Sequence, residues 1–257
     1  LALLQSGVVS LLKIDEAVPR AVTLKRASGT HAIENLTKIS MRSVPVWDSA
    51  DKRGSAMLLL AHTAVWTARC CVYGGFIRDF IVRGERANDV DVGYRDGPVG
   101  RDRLKTAVLA QVGKLGLSYN VRDKGMAYAI KVSGSGMEAF DIDLVDLTKV
   151  QQVASSPGVD SDVGNLVLEL TDDLPLKLKI NKPHLATLAV SLEHCRAKKF
   201  LFYYEGGGNG DAIRLSKYLS RGWTCLNTLP EPLRQQAIGE GHGALLQPLS
   251  KYSSKFY

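Results

Sequence analysis

The stretch that most constrains the fold is Cys70–Tyr94, CCVYGGFIRDFIVRGERANDVDVGY, which reads as strand, glycine turn, short helix, strand. Cys70-Cys71-Val72-Tyr73 is a short apolar run of β-favouring residues. Gly74-Gly75 ends it, because paired glycines allow backbone angles and close approaches that a Cβ forbids. Phe76 to Arg83 then carries apolar residues at Phe76, Ile77, Phe80 and Ile81, the spacing of one helix face, and Gly84 stops the helix. Asp89-Val90-Asp91-Val92 alternates strictly and predicts a half-buried strand, with Val90 and Val92 on one side and Asp89 and Asp91 on the other.

Two carboxylates on one strand face, opposite a glycine turn, have a chemical meaning. Hard cations such as Mg²⁺ take oxygen ligands, usually one or two carboxylates plus substrate phosphates. Backbone N–H groups in a glycine turn and at a helix start favour anions. A D-x-D alone is ordinarily a solvent-facing strand end. GG-x-x-RD followed by D-x-D after a short helix points instead to a site for a metal and a phosphate.

The run GG-F-I-RD-F-I-V-R-G-E-R-A-N-DVDV resembles the signature of the polymerase-β-type nucleotidyltransferases, in particular the branch of tRNA CCA-adding enzymes and bacterial poly(A) polymerases. The motif core covers Gly74 to Asp91, and weaker echoes extend to about Trp223. From Phe80 to Gly84 the spacing is one residue longer than that branch has. The resemblance implies template-independent transfer of a nucleoside monophosphate from ATP or CTP to the 3′ end of a tRNA or other RNA, with pyrophosphate leaving. It implies that Asp89, Asp91 and Asp141 hold two Mg²⁺ (or Mn²⁺) ions. Gly74, Gly75 and Arg78 would cradle the triphosphate, and Asp79 would fix the loop by hydrogen bonding.

The family places a third carboxylate on a neighbouring strand, and Met137–Leu147, MEAFDIDLVDL, is the candidate. Phe140, Ile142 and Leu144 share one face, Asp141 and Asp143 the other. Glu138 falls on the apolar face and makes a poor ligand. Asp141 and Asp143 both stay open, with Asp141 narrowly preferred.

Three further segments echo the family more faintly. Asp162-Val163-Gly164-Asn165-Leu166 is similar to its D-F-T-x-N-A-L segment, which implies that Asp162 and Asn165 lie near the ribose of the incoming nucleotide. As plain structure the segment is a loop before a strand at Leu166–Leu170. Glu193 and Arg196 have the spacing that ends the family's base-reading E-D-x-x-R motif, with Leu192 where the first acid would stand. A surface Glu–Arg pair at that spacing is also common on any helix. Lys217, Tyr218 and Arg221 combine charge with a stacking surface that suits an RNA backbone or a triphosphate, and equally suits a solvated helix end.

Composition fits a globular chain of 257 residues with one large domain or two small ones. A net charge of +7 and a pI near 9.2 suit a polyanionic partner, most simply RNA. The four cysteines, Cys70, Cys71, Cys195 and Cys225, form no C-x-x-C pair, so no zinc site or disulfide framework follows and an intracellular, reducing compartment is expected, cytoplasmic or organellar. The histidines lack ligand spacing, and His184 and His194 read as ordinary helix residues. No apolar run is long enough to span a bilayer.

The expected fold class is α/β (α+β): a small mixed sheet of the nucleotidyltransferase type with flanking helices, then a short helical C-terminal domain. The boundaries expected are 1–54 for an N-terminal extension and linker, 55–182 for the catalytic domain, 183–229 for a helical nucleotide- and RNA-binding domain, and 230–257 for a tail. Helices are expected over Ser55–Arg69, Arg101–Leu117, His184–Tyr204 and Ala212–Leu219, with a loop over Tyr94–Arg103. The extension, with Arg20, Lys25, Arg26 and Arg42, reads either as a packed segment or as an arm for RNA, a protein partner or a ribonucleoprotein. Two other functions compete with the first. One is a catalytically inactive structural or RNA-binding component of a ribonucleoprotein. The other is nucleotidyl transfer to a small molecule.

Overall fold

Alternation in two segments builds the centre of the sheet. In Asp89–Tyr94 and Met137–Asp146 every second side chain is apolar, and Val90, Val92, Phe140, Ile142 and Leu144 are all buried. Burying a valine or leucine of this kind stabilises a fold by about 1.5–3 kcal/mol. A slip of one residue would carry the whole set to the wrong face, so the register is strongly specified. The computed structural model describes residues 13–14, 38–40, 48–123, 127–148, 160–170, 176–181, 186–204 and 209–249. Arg20, Lys25, Arg26, Arg42 and His184 lie outside the described residues.

The chain divides into two compact units, 1–157 with 166–179 and 158–165 with 180–257. In the first, β1 (Lys13–Ile14) and β2 (Lys38–Ser40) precede α1 (Lys52–Trp66), β3 (Cys71–Tyr73), a π-helix (Phe76–Val82) and β4 (Asp89–Tyr94). Then come α2 (Gly97–Lys114), β5 (Ser118–Asp123), β6 (Ala127–Gly134), β7 (Met137–Asp146), β8 (Leu166–Leu170) and β9 (Leu176–Ile180). The nine strands form one mixed sheet in the order β1-β2-β9-β8-β3-β4-β7-β6-β5. Among the described strand pairs of this sheet, β4 with β7 is parallel and β1–β2, β2–β9, β3–β4, β3–β8, β5–β6 and β6–β7 are antiparallel. Helix α1 packs against α2 and against β3, β4, β7 and β8. Its Met57, Leu60, Ala64 and Val65, and Leu104, Val108 and Val112 of α2, are buried. This is the expected α/β class.

Two expectations in this unit shift. Helix α1 starts three residues before Ser55, because Asp51 caps it by accepting the Gly54 N–H at 2.8 Å. Helix α2 starts at Gly97 instead of Arg101, with Pro98 in its first turn, so the loop expected over Tyr94–Arg103 shrinks to its first residues. The π-helix accounts for the long spacing from Phe80 to Gly84. Its i→i+5 coil holds more residues per turn than an α-helix, so an extra residue fits while Phe76, Ile77, Phe80 and Ile81 stay buried.

The second unit contains α3 (Leu188–Ala197), β10 (Lys199–Phe200), α4 (Asn209–Leu219), β11 (Thr224–Cys225), α5 (Glu231–Gly239) and a 3₁₀ turn at Gly243–Leu245. The long helix expected over His184–Tyr204 is cut short at Lys198, which takes the left-handed conformation (φ 58°) and turns the chain into β10, parallel to β11. Phe200, Leu201 and Phe202 are thereby buried in an extended segment. The expected tail contains α5 instead. Pro232 sits in its first turn, where no N–H is required, and Leu233 and Ala237 pack inward. Among the described residues no helix is long and apolar enough to cross a membrane.

Candidate functional site

The sheet of the first unit has one face covered by helices and another that carries the acids. Parallel pairing of β4 with β7 sets Asp89 opposite Asp141 and Asp91 opposite Asp143. Residues opposite each other across a strand pair project from the same face, so the four half-buried carboxylates form a two-by-two array. The rows continue on both sides. Tyr73 of β3 lies opposite Asp91, while on β6 Lys131 lies opposite Asp141 and Ala129 opposite Asp143. Asp146 has the opposite parity, is buried, and accepts hydrogen bonds from the N–H and hydroxyl of Thr148 at 3.0 and 2.6 Å. Glu138, at the start of β7, is exposed and paired with Arg86, away from the array.

The glycine turn abuts these carboxylates. Gly74 has φ +74°, and a Cβ built there would collide with Asp91 Oδ2. A Cβ on Gly75 would lie 3.5 Å from Arg78 Nη2, 3.7 Å from Asp79 Oδ2 and 3.9 Å from Asp89 Oδ1. Gly74 therefore lets backbone close over Asp91 where any other residue would collide and strain, and Gly75 keeps the turn within reach of Asp89. Beneath the turn Arg78 is 5% exposed and forks onto Asp79, Nε to Oδ1 at 2.7 Å and Nη2 to Oδ2 at 2.5 Å. The two partners are neighbours on the π-helix that follows the turn, and the fork is a charge-assisted pair. The Tyr73 phenol is enclosed beside the array. Burial, then the charges of Asp91, Cys71 and Asp143, push its pKa up and keep it protonated.

Arg53 falls in the expected linker, and sequence reasoning misses it. It donates from Nη1 to the Ala87 carbonyl at 2.5 Å and from Nη2 to the Asn88 carbonyl at 2.8 Å, the two residues that lead into Asp89. Its guanidinium stands over the Phe140 ring at 5.5 Å. The one signal in the sequence is Asp51, whose cap begins the helix that carries Arg53. A pocket of about 610 Å³ opens here, lined among others by Asp51, Arg53, Phe80, Arg86 and Glu138.

The acids match a hard divalent cation in chemistry. Among the described residues no three His, Cys, Asp or Glu side chains stand close enough to hold a metal ion. Mg²⁺ does not need three, because it commonly takes one or two carboxylates and fills its sphere with water and substrate phosphates. Asp141 Oδ1 is buried with no hydrogen-bond partner. A divalent cation would relieve the desolvation of such an orphaned carboxylate oxygen and its repulsion by the neighbouring acids.

The fainter candidates lie in the second unit, and the structure corrects several. Asp162 is 0% exposed, pairs with His194 Nδ1 at 2.5 Å and accepts the Leu201 N–H at 2.7 Å. Asn165 is equally enclosed, and its carbonyl accepts from the Asn181 N–H at 2.9 Å. Neither can approach a ribose, because both are enclosed within the unit. His194 is a residue of α3, as expected, and is buried against Asp162. Tyr218 is buried too, stacked on Phe200 at 4.7 Å and bonded through its hydroxyl to Ser161 Oγ at 2.8 Å, so it offers no surface for a base. Glu193, Arg196 and Lys217 are at the surface and Arg221 is half-buried. The cysteines are buried free thiols. Burial pushes the thiol pKa of Cys70 and of Cys225 up to about 12 and that of Cys71 to about 11.

No protein-family model and no curated protein matches the sequence. Solved structures do match. The structure is similar to those of CCA-adding enzymes. A CCA-adding enzyme in complex with CTP is 16% identical with a TM-score of 0.45, over 72% of this chain and 43% of that one. The Thermotoga maritima CCA-adding enzyme complexed with tRNA is 16% identical with a TM-score of 0.40, over 67% and 38%. A tRNA-processing enzyme is 14% identical with a TM-score of 0.41, over 78% and 50%. The chain thus spans half or less of the length of these three structures.

Proposed function

We propose that the protein is a nucleotidyltransferase that adds a nucleoside monophosphate, from ATP or CTP, to the 3′ end of an RNA, using Mg²⁺ or Mn²⁺. The observation that carries this reading is the β4–β7 register, which sets Asp89, Asp91, Asp141 and Asp143 on one face under Gly74, with Asp141 Oδ1 left without a partner. Acids grouped in this way repel one another and repel phosphates unless a cation joins them.

Asp89 and Asp91 would hold the cation, with Asp141 as the third carboxylate and Asp143 beside it at the rim. When bound, a divalent cation neutralises charge on the phosphates and favours ionisation of the attacking hydroxyl. The chain's own part is largely positioning, which is most of what phosphoryl-transfer catalysis asks of a protein. Gly74 and Gly75 let the turn close on the carboxylates, and Arg53 holds the approach to Asp89.

A second reading is an inactive RNA-binding component, and the enclosure of Asp162, Asn165 and Tyr218 supports it, since these echoes of a nucleotide site serve the core instead. Incorporation of labelled ATP and CTP into mixed RNA, with and without a chelator, separates the two. Chelator-sensitive incorporation supports the transferase. Absence of incorporation with all four nucleotides and several acceptors supports the inactive component.

A further inference from the structure

We propose that Lys131 and Arg122 bind the phosphodiester backbone of a single-stranded RNA end on the acceptor side of the carboxylate array, an inference that rests on the nucleotidyltransferase reading above. The register supplies the placement. Lys131 of β6 stands directly opposite Asp141, and Arg122 of β5 stands opposite Ala129, which is itself opposite Asp143. One row across the sheet therefore runs Asp89, Asp141, Lys131, Asn120, and the next runs Tyr73, Asp91, Asp143, Ala129, Arg122. All of these residues share the face that carries the acids.

The array is thus flanked unequally. On the β3 side it meets Tyr73 and the glycine turn, both packed close. On the β5–β6 side it meets two exposed cations and an exposed amide. Among the described residues neither the Lys131 nor the Arg122 side chain has a hydrogen-bond or ion-pair partner. That is informative for Lys131, since opposed side chains on neighbouring strands start only about 5 Å apart at Cβ. A lysine there could neutralise Asp141, yet Asp141 Oδ1 has no partner and Lys131 is exposed to solvent. Positive charge is held beside the acids without cancelling them. Its complement is an anion arriving over β7 and β6, opposite to the glycine turn.

Spacing selects a strand over a single phosphate. Lys131 and Arg122 are diagonal neighbours, about 7–8 Å apart at the backbone, and their long side chains can spread further. That suits two successive phosphates. Asn120, directly opposite Lys131 on β5, adds a neutral hydrogen-bonding group.

The test is equilibrium binding with the full chain, which requires no catalysis. Fluorescence polarisation with a labelled single-stranded RNA oligonucleotide is measured across a salt series for wild type, Lys131→Ala/Arg122→Ala and the charge-keeping Lys131→Arg/Arg122→Lys. Binding of ATP is measured in parallel, with inorganic phosphate as competitor. The double alanine variant should lose about tenfold in RNA affinity, and its slope of log affinity against log salt should fall by about 1.4, at 0.7 per phosphate contact on a single strand. ATP affinity should be unchanged, and the charge-keeping variant should bind RNA like wild type. Unchanged RNA affinity and slope would overturn the proposal. So would an equal loss of ATP affinity, or displacement of RNA by low millimolar phosphate, which would mark a small-phosphate site. A wild type that shows the salt-dependent contact yet incorporates no nucleotide would remove the transferase reading and leave the RNA contact standing.

Discussion

In the first unit four carboxylates stand half-buried on one sheet face and Asp141 Oδ1 has no partner, whereas in the second unit Asp162 is sealed from solvent with both oxygens taken, one by His194 and one by the Leu201 N–H. The same functional group is organised in opposite ways. Around Asp162 the protein meets every demand of a buried acid, and the result is a joint that ties the loop at Ser161–Asn165 to α3 and the extended segment after it. Around Asp91 it packs a glycine turn against the acids, and in the same array the demand of Asp141 Oδ1 is left unmet. Unmet demands cost stability, and a fold keeps them where something else is to bind. The acid that resembles a substrate contact in sequence is thus enclosed in its unit's core, and the half-buried acids of the array are the candidates for chemistry.

The sharpest way to break this comparison is Asp91→Ala. Incorporation should fall about a thousandfold or more, because little else in such a site stabilises charge at phosphorus. Stability should change by no more than about 0.5 kcal/mol, since Val90 and Val92 carry the packing. Thermal unfolding and incorporation on the same preparations check both halves, and undiminished incorporation would remove Asp91 from the site. Asp162→Ala should do the reverse. It strands a buried imidazole and a buried amide, so the second unit should lose about 3–5 kcal/mol in denaturant unfolding. A loss under about 1 kcal/mol, the ordinary effect of a point substitution, would show that the joint is unimportant.

Gly74→Ala probes the contact between turn and acids. Its φ of +74° disfavours a side chain, and the new methyl would press on Asp91 Oδ2. About a hundredfold loss of incorporation is expected, as for a displacement of about 1 Å in a reacting constellation. Wild-type activity in this variant would separate the turn from the chemistry. The smallest effect concerns the thiols. Burial raises Cys70 and Cys225 from 9.0 to about 12 and Cys71 to about 11 in the folded state. Well below pH 9 the thiols are protonated in both states and contribute fully. Above it the unfolded chain ionises first, so stability should decline as pH rises from 9 towards 12. Native thiols should also alkylate far more slowly at about pH 8 than those of the denatured chain. Equal rates would contradict their burial.

Much of this comparison is legible in the sequence. Strict alternation in DVDV and FDIDL identifies which side chains share a face, because a strand has no other way to present them, and parity alone sets Glu138 aside. Burial of helix faces is less legible. Tyr218 and Lys217 are adjacent on α4, and only packing against Phe200 decides that one is core and the other surface. The end of α3 is hidden because Lys198, not a glycine, adopts the left-handed turn. Helix α5 is hidden because Pro232 looks like a breaker until it is placed in a first turn. The role of Arg53 depends on carbonyls 34 and 35 residues away, which no local pattern reveals.

The order in which the chain visits its two units has a practical result. Residues 158–165 belong to the second unit, and 166–179 return to give the first its β8 and β9. Neither unit is a continuous piece of sequence. A fragment that stops at residue 157 loses β8 and strips β3 of its neighbour on that side, exposing backbone that pairs readily with other chains. A C-terminal truncation that keeps the carboxylate-bearing unit whole must therefore run to about residue 180, through β8 and β9, and one placed where the first unit is first interrupted will yield aggregates instead.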